Sequence, residues 1–225
     1  MGAIIESELK YRFSNEDSAS VLAGDPQLLQ AALQPWHSAA MITVYYDAAD
    51  RRLQQAGIAL RLRRYAESAV LCCKYNPIHA DDEAALADTP PLSLRSRHED
   101  EVFLDNLPSQ PDELPWHLLP SAAMLQGVLC GEKLQILAGT EFIRQSMLVL
   151  WLESEIEIAV DEGFLTNAST RQAFLELELE LKQGNVADLC NLGELLAARY
   201  ELLPEPKSKL QRATEGLELR VSSVV

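Results

Sequence analysis

Charged and apolar residues alternate along several stretches of this chain, and this alternation constrains the fold more than any other feature. In IIESELKYRF (4–13), Glu6, Glu8 and Lys10 alternate with mostly apolar residues, and in AFLELELELK (173–182) glutamates alternate with leucines. Successive side chains of a β-strand point to opposite faces of its sheet. Each stretch is therefore predicted to be a strand with one charged face and one apolar face.

The same period of two recurs along the chain and predicts eight strands. Their ranges are 4–13, 41–47, 58–65, 69–75, 97–104, 142–151, 154–161 and 173–182. Capping residues and helical spacing predict helices between the strands. They follow Asp25-Pro26, cover 50–56 before Gly57, and cover 185–200, with weaker signals over 112–119 and 121–129. Segment 76–91 is predicted to be a loop, and 214–225 a poorly specified end.

Composition and motif searches exclude several classes of function. The formal net charge of −15 and the pI of about 4.6 argue against nucleic acid and acidic membranes as partners. We see no signal peptide and no apolar run of membrane-spanning length. No glycine-rich phosphate loop follows a strand, which argues against Rossmann and P-loop folds. The four cysteines match neither a zinc site nor a disulfide framework, so we expect free thiols and a cytoplasmic location.

The charges on the predicted strands form uniform rows. Arg61 and Arg63 share one strand face, whereas Glu176, Glu178 and Glu180 share another. A half-exposed sheet with its charged face in water would explain any single row, but like carboxylates in a row repel one another. Mg²⁺ and Mn²⁺ prefer such oxygen ligands, and guanidinium groups fit phosphate oxygens. The rows together therefore predict a site for a metal ion and a polyanion.

Closure of the sheet would bring these rows together. In a barrel whose charged faces point inward, the apolar faces point outward and must be covered by helices such as 185–200. The interior of a small barrel is normally packed with side chains, so a charged interior implies water, ions and ligand. A closed sheet would therefore turn the charged rows into one site for a metal and a polyanion.

Eight ordered motifs resemble those of a known family, the CYTH superfamily or triphosphate tunnel metalloenzymes. The first is E-x-E-x-K at Glu6, Glu8 and Lys10. The others are YYDAADRRLQQAGIALRLRR (45–64), Lys74, R-x-E-x-E (Arg97, Glu99, Glu101), TEFIR (140–144), EIEIAVDEG (155–163), FLELELELK (174–182) and SKLQR (208–212). The chain departs from the family pattern at Ala48, where threonine is usual, and at Ala213, where glycine is common.

The resemblance is strongest to the bacterial inorganic triphosphatase branch. It implies an α+β fold, an eight-stranded antiparallel β-barrel with a charged interior and flanking helices. The implied CYTH domain covers residues 1–213, and a C-terminal tail covers 214–225. In that branch the domain is often followed by a helical phosphate-binding CHAD domain, for which residues 214–225 are too few. The implied activity is the metal-dependent hydrolysis of inorganic triphosphate to pyrophosphate and phosphate, with Mg²⁺ or Mn²⁺ as cofactor.

The resemblance also implies roles for the charged residues. It implies phosphate binding by Lys10, Arg61, Arg63, Lys74, Arg97, Arg144 and Lys209, and metal binding by Glu6, Glu8, Glu176, Glu178 and Glu180. It places Glu157 and Asp161 near a second ion or the attacking water, as catalytic residues together with Lys10 and Arg61. Glu99 and Glu101 would orient the cations or join the metal ligands. The four scattered histidines are not expected to be catalytic.

Other functions of the same scaffold stay open at this point. They are a class IV-type adenylyl cyclase and a thiamine triphosphatase, so that a nucleoside triphosphate is a further candidate substrate. A protein that binds polyphosphate or nucleotides without catalysis belongs to a different class. The sequence does not fix the preferred metal or the oligomeric state.

Overall fold

A computed structural model describes residues 4–15, 17–65, 68–76 and 93–221, which form an antiparallel barrel with flanking helices. The barrel strands are β1 (Ile4–Arg12), β2 (His37–Asp47), β3 (Ile58–Tyr65), β4 (Ser68–Tyr75), β5 (Leu94–Leu104), β6 (Gln135–Trp151), β7 (Ser154–Thr166) and β8 (Arg171–Gln183). They pair in the order β5-β4-β3-β2-β6-β7-β8-β1, and the pairing of β1 with β5 closes the sheet. The predicted fold class and all eight predicted strands are confirmed.

Helices surround the barrel, and four of them were predicted. They are α1 (Asp17–Ala23), α2 (Pro26–Ala31), α3 (Arg52–Gln55), α4 (Ala122–Leu129), α5 (Val186–Tyr200) and α6 (Lys209–Val221). The weak signal over 112–119 corresponds to two short 3-10 turns, Pro111–Glu113 and Trp116–Leu118. Among the described helices, none has both the length and the apolar character needed to cross a membrane. The predicted loop at 76–91 lies almost wholly outside the described residues.

The apolar faces of the strands point outward and are covered by the helices. On one side, Leu177 and Leu179 of β8 pack with Leu192 and Leu196 of α5, and all four side chains are fully buried. On the other side, residues of β3 and β4 pack beneath α3 and α4. Burying one leucine side chain stabilises a fold by about 1.5–3 kcal/mol relative to leaving it in water. Most of the hydrophobic core therefore lies outside the barrel, as the inward position of the charged rows requires.

The side chain of Asp47 stabilises the turn that connects β2 to α3. Its carboxylate is buried and accepts hydrogen bonds from the backbone N–H groups of Ala48, Leu53 and Gln54. The helix ends at Gln55, and two residues later Gly57 has a positive φ of 72° that favours glycine. The chain then enters β3 with its arginines facing the barrel interior.

Helix α6 closes one end of the barrel. Its Leu210 and Ala213 pack with Tyr45, Phe142 and Phe174, which lie on the inward faces of three strands. The helix was not predicted, because residues 214–225 carry no clear periodicity, yet it continues from Lys209 to Val221. It brings SKLQR (208–212) to the cavity. We call the opposite, open end of the barrel the mouth.

Candidate active site

The barrel interior contains a cavity of about 730 Å³. This volume is within the range of ordinary small-molecule sites, about 300–1,000 Å³. Both acidic and basic side chains from the inward-facing rows line it, and we call it the tunnel. Its lining includes Glu6, Glu8, Lys10, Arg61, Arg63, Lys74, Arg97, Glu99, Glu101, Arg144, Glu157, Glu178, Glu180, Lys182 and Lys209.

Strands β3, β4 and β5 arrange their inward-facing residues in three cross-strand rows. Each row contains one residue from each strand, because antiparallel partners lie directly opposite one another. From the mouth inward, the rows are Arg63–Val70–Phe103, Arg61–Cys72–Glu101 and Ala59–Lys74–Glu99. This wall therefore changes from an apolar pair beside one arginine at the mouth to ion-paired groups deeper in the tunnel.

Lysine and arginine side chains in the middle of the tunnel pair with glutamates. Lys74 forms a short ion pair with Glu6 and lies 3.3 Å from Glu99, measured from Nζ to the carboxylate oxygen. Arg61 donates from Nη2 to the same Glu99 at 3.0 Å, and the guanidinium of Arg97 contacts Glu8 at 3.4 Å. The cations and carboxylates of this region thus neutralise one another.

A second network lies deeper, near α6. Arg144 makes a two-pronged contact with Asp161, from Nε at 2.8 Å and from Nη2 at 2.7 Å. The ammonium group of Lys209 donates to Asp161 at 2.8 Å and to Glu178 at 2.9 Å, and also contacts Glu176. Lys10 lies 3.0 Å from Glu178. Glu178 is therefore shared by cations from three elements, β1, β6 and α6.

These contacts set the protonation states of the buried carboxylates. Burial alone would raise the pKa of Glu8, but Lys10, Lys74 and Arg97 together lower it to about 2. Burial likewise opposes ionisation of Glu99, and Lys74 with Arg61 lowers its pKa to about 2. These two side chains are consequently ionised at neutral pH and can act as metal ligands or as partners of cations.

Other tunnel groups have raised pKa values. Burial, reinforced by Glu99, raises the pKa of Glu101, and burial with Glu6 raises that of Glu180. Burial raises the pKa of the Cys72 thiol to about 12, so that thiol is protonated at neutral pH. The cations around Glu101 and Glu180 thus offset the effect of burial less completely than those around Glu8 do. A bound cation would favour the ionised forms of both side chains.

The residues present fit a divalent metal ion. Carboxylate oxygens of Asp161, Glu176 and Glu178 lie within 4.8 Å of one another. Such all-oxygen sets suit Mg²⁺ and Mn²⁺, which prefer hard ligands. The ammonium of Lys209 lies among these three carboxylates. A second group, Cys72 with two glutamates, has a sulfur ligand and suits those ions less well.

The tunnel also fits an anion. The Nε atoms of Arg61 and Arg63 are buried and have no hydrogen-bond partner among the described residues. A buried N–H group without a partner costs free energy, about 1–3 kcal/mol. Phosphate oxygens could accept from both guanidinium groups.

Most predicted site residues line the tunnel, but two lie behind its wall. Asp161 and Glu176 have no exposed surface and reach the cavity only through their cationic partners. Glu176 is paired with Lys209 and Arg212, and Asp161 with Arg144 and Lys209. The structure therefore brings the predicted phosphate-binding residues together but separates these two acids from direct contact with the tunnel.

Several lining residues were not predicted as site residues. They are His37, Tyr45, Phe103, Ser146 and Lys182. Phe103 follows Glu101 by two residues and so lies on the same face of β5, which means that alternation alone could have found it. His37 could not be found in this way because β2 begins at residue 37 and its predicted start is 41. Its Nε2 lies 3.1 Å from the Oγ of Ser146 on the tunnel wall.

Comparisons with known proteins agree with this geometry. A family model of the CYTH domain matches residues 5–214. The inorganic triphosphatase of Haemophilus influenzae is 31% identical over 173 residues, which are 75% of this chain and 43% of that protein. The chain thus spans less than half the length of this curated relative.

Solved structures share the fold at low sequence identity. A Hippeastrum protein described as an adenylyl cyclase with a dominant triphosphatase activity matches with a TM-score of 0.58, 18% identity, and coverage of 94% of this chain and 96% of that one. The protein PH1819 of Pyrococcus horikoshii OT3 matches with a TM-score of 0.55, 16% identity, and coverage of 94% and 99%. At these identities the likeness establishes the fold.

Proposed function

Because the chain belongs to the CYTH domain family, we propose that it hydrolyses inorganic triphosphate to pyrophosphate and phosphate in its tunnel, with Mg²⁺ or Mn²⁺ as cofactor. The observation that carries this proposal is the set of paired cations and carboxylates around one cavity in the barrel interior. A triphosphate would replace the carboxylates as partner of the cations, and its metal would replace the cations as partner of the carboxylates. The relative from Haemophilus influenzae supports the same activity.

Binding would exchange the partners of the charged groups. Arg61, Lys74 and Arg97 would turn from carboxylates to phosphate oxygens, and Lys10, Arg144 and Lys209 would do the same at the deep end. Arg63, whose buried Nε has no partner among the described residues, would donate to the phosphates as well. The released carboxylates, Glu6, Glu8, Glu178 and Glu180, would hold the metal, with Glu176 behind them. The bound metal would neutralise phosphate charge and acidify a coordinated water.

The reaction is an in-line displacement at a terminal phosphorus. A water oxygen forms a bond to that phosphorus while the bridging P–O bond breaks and pyrophosphate leaves. Glu157 faces the tunnel near Arg144 (3.9 Å) and Lys182 (4.0 Å), and would orient the water and take its proton. Arg61 and Lys10 would stabilise the charge that develops on the transferred and leaving phosphates. Asp161 would act through Arg144 and Lys209 by fixing their positions.

Phosphate release from tripolyphosphate, ATP and thiamine triphosphate tests the proposal, each with Mg²⁺ and with Mn²⁺. We expect release from tripolyphosphate that Glu8→Gln lowers by at least about tenfold, as loss of a metal ligand requires. Glu141→Gln is the matched control, since this side chain is 60% exposed and lies outside the tunnel. Cyclic AMP and pyrophosphate from ATP would instead identify a cyclase. Tripolyphosphate that raises the melting temperature without turnover would identify a binding protein.

Further expectations accompany this proposal. The cytoplasmic location and the absence of nucleic-acid and membrane partners remain predictions from composition. The domain boundary at residue 213 also remains a prediction, and α6 crosses it. An inorganic triphosphate or a nucleoside triphosphate is the proposed substrate.

A further inference from the structure

The outer face of β4 and β5 contains a group of polar side chains that have no part in the proposed reaction. Cys73 and Asp100 lie directly opposite each other on the two strands. His98 precedes Asp100 by two residues and therefore lies on the same face of β5. Ser121 lies beside them, immediately before α4. We call these four residues the outer cluster, and its Cys73 packs in the hydrophobic core beneath α4.

The carboxylate of Asp100 is the observation that points to a ligand. The residue is 3% exposed, and neither carboxylate oxygen has a hydrogen-bond partner among the described residues. Almost all buried polar groups of folded proteins are paired, and a buried charge is paired or binds a metal ion. The tunnel cavity extends to Asp100 and to the neighbouring Pro120, so an ion has a path from the cavity to this residue.

The other members of the outer cluster lie close to this carboxylate. Burial raises the pKa of the Cys73 thiol to about 11; Ser121 partly offsets this rise and Asp100 adds to it, which places both near the sulfur. The imidazole of His98 stacks on the ring of Tyr75, its partner on β4, with 5.3 Å between the ring centroids. The Oγ of Ser121 is buried and has no hydrogen-bond partner within the part of the chain that the structure describes. A thiol, an imidazole, a carboxylate and a hydroxyl thus come together from two strands and the start of a helix.

We propose that Cys73, His98 and Asp100 bind a zinc ion whose fourth coordination position faces Ser121. Thiolate sulfur, imidazole nitrogen and carboxylate oxygen are the ligands of tetrahedral zinc sites, with bonds of about 2.0–2.3 Å. Cross-strand partners have Cβ atoms about 4.5–5.5 Å apart, and alternate residues of one strand are about 6.5–7 Å apart. Rotation of the three side chains can therefore bring their ligand atoms onto one ion between the strands. The thiol proton passes to solvent as the zinc–sulfur bond forms.

The outer cluster differs from the tunnel in the metal that it suits. The tunnel offers carboxylate oxygens, which suit Mg²⁺ and Mn²⁺, whereas a thiolate with an imidazole favours zinc. Lys74 and Glu99 are sequence neighbours of the zinc ligands and face the tunnel on the opposite side of the sheet. A zinc ion in the outer cluster would therefore join β4 to β5 behind the row that contains Lys74 and Glu99, and would stabilise this wall. The inference does not depend on the proposed hydrolysis.

Titration of the metal-free protein with Co²⁺, in an excess of Mg²⁺ that occupies the tunnel carboxylates, tests the site. Co²⁺ replaces zinc and gives a thiolate-to-cobalt absorption band only when a cysteine sulfur binds it. We expect the band to saturate at one Co²⁺ per chain and to disappear when Zn²⁺ displaces the cobalt. Cys73→Ser should abolish the band, and Asp100→Asn should raise the Kd of Zn²⁺ by at least about tenfold.

Control variants separate this site from the other thiols and from a loss of folding. Cys72→Ser removes the thiol that lies near Glu99 and Glu101, Cys130→Ser removes an exposed thiol, and both should keep the band. Without metal, Asp100→Asn should melt no lower than the wild type, because it removes a buried carboxylate that has no partner among the described residues. Zn²⁺ should raise the melting temperature of the wild type but not that of Asp100→Asn. The absence of a band, its loss in Cys72→Ser or Cys130→Ser, or equal Zn²⁺ affinities of the wild type and Asp100→Asn would overturn the inference.

Discussion

Replacement of Lys209 by methionine tests the charge network that joins α6 to the barrel. The side chain of Lys209 is 9% exposed, and its ammonium contacts Asp161 at 2.8 Å and Glu178 at 2.9 Å. It also contacts Glu176, and neither Asp161 nor Glu176 has any exposed surface. Methionine has a similar length and fills the same space, so the substitution removes charge without opening a large cavity.

The expected loss of stability follows from the burial of these partners. Removing one member of a buried ion pair costs about 3–5 kcal/mol, because the remaining charge stays desolvated. Arg144 still contacts Asp161 and Glu178, and Arg212 still contacts Glu176, so each of the three carboxylates keeps one arginine and part of this cost is offset. We therefore expect Lys209→Met to lower the free energy of unfolding by about 3 kcal/mol. A domain of ordinary stability, about 5–15 kcal/mol, would survive this loss.

Urea denaturation at pH 7 without metal measures this loss. The matched control is Lys207→Met, two residues earlier, whose ammonium is half exposed and contacts Glu215 at 3.0 Å. An exposed pair contributes about 0–1 kcal/mol, so the control should lose less than about 1 kcal/mol. Equal losses in the two variants, or a loss below about 1 kcal/mol for Lys209→Met, would refute the reasoning.

Three further predictions concern the site and the barrel. Titration calorimetry should show that Mg²⁺ lowers the Kd of tripolyphosphate by at least about tenfold. Tripolyphosphate must take the cations away from their carboxylates, and Mg²⁺ would then neutralise the carboxylates that are left. Glu8 should stabilise the fold fully above pH 4.5 and progressively less toward pH 2, because its pKa falls from 4.5 to about 2 on folding. The stability difference between wild type and Glu8→Gln, measured by urea denaturation, should therefore shrink over that range. Gly163→Ala should lower the melting temperature, because its Cβ would lie 2.2 Å from the backbone oxygen of Glu141, whereas Gly127→Ala in α4 meets nothing within 4 Å and should not.

Each of these predictions has a result that would contradict it. Equal tripolyphosphate affinity with and without Mg²⁺ would argue against a shared site. A constant difference between wild type and Glu8→Gln from pH 6 to pH 2 would show that the lysines and arginines around Glu8 do not lower its pKa. Equal melting temperatures for the two alanine variants would show that β6 and β7 do not approach as closely as the structure indicates.

Alternation carried most of the information about the fold. When charged and apolar residues alternate along a strand, each side chain is assigned to one face of the sheet. Many charged faces can be buried together only if the sheet closes into a barrel. The strand ranges were consequently predicted to within a few residues, except where the pattern weakens. β6 begins at Gln135 rather than 142, because its first residues lack regular alternation.

Contacts between residues far apart in the sequence could not be predicted from alternation. Alternation places Asp161 and Glu176 on inward faces, but it cannot show that Lys209 of α6 lies between them and the cavity or that Arg212 pairs with Glu176. The helix itself depends on tertiary packing, since Leu210 and Ala213 bury against Phe142 and Phe174. Periodicity describes one element at a time, whereas the depth of a side chain in the tunnel depends on several elements together.

A crystal structure with Mn²⁺ and the imido analogue of tripolyphosphate would test the central claim most directly. The anomalous signal of manganese locates the metal independently of the protein. We predict a manganese peak inside the tunnel, in contact with glutamates of β1 or β8 and with phosphate oxygens that also contact Arg61 and Arg63. Manganese or the triphosphate analogue bound only outside the barrel would contradict the account.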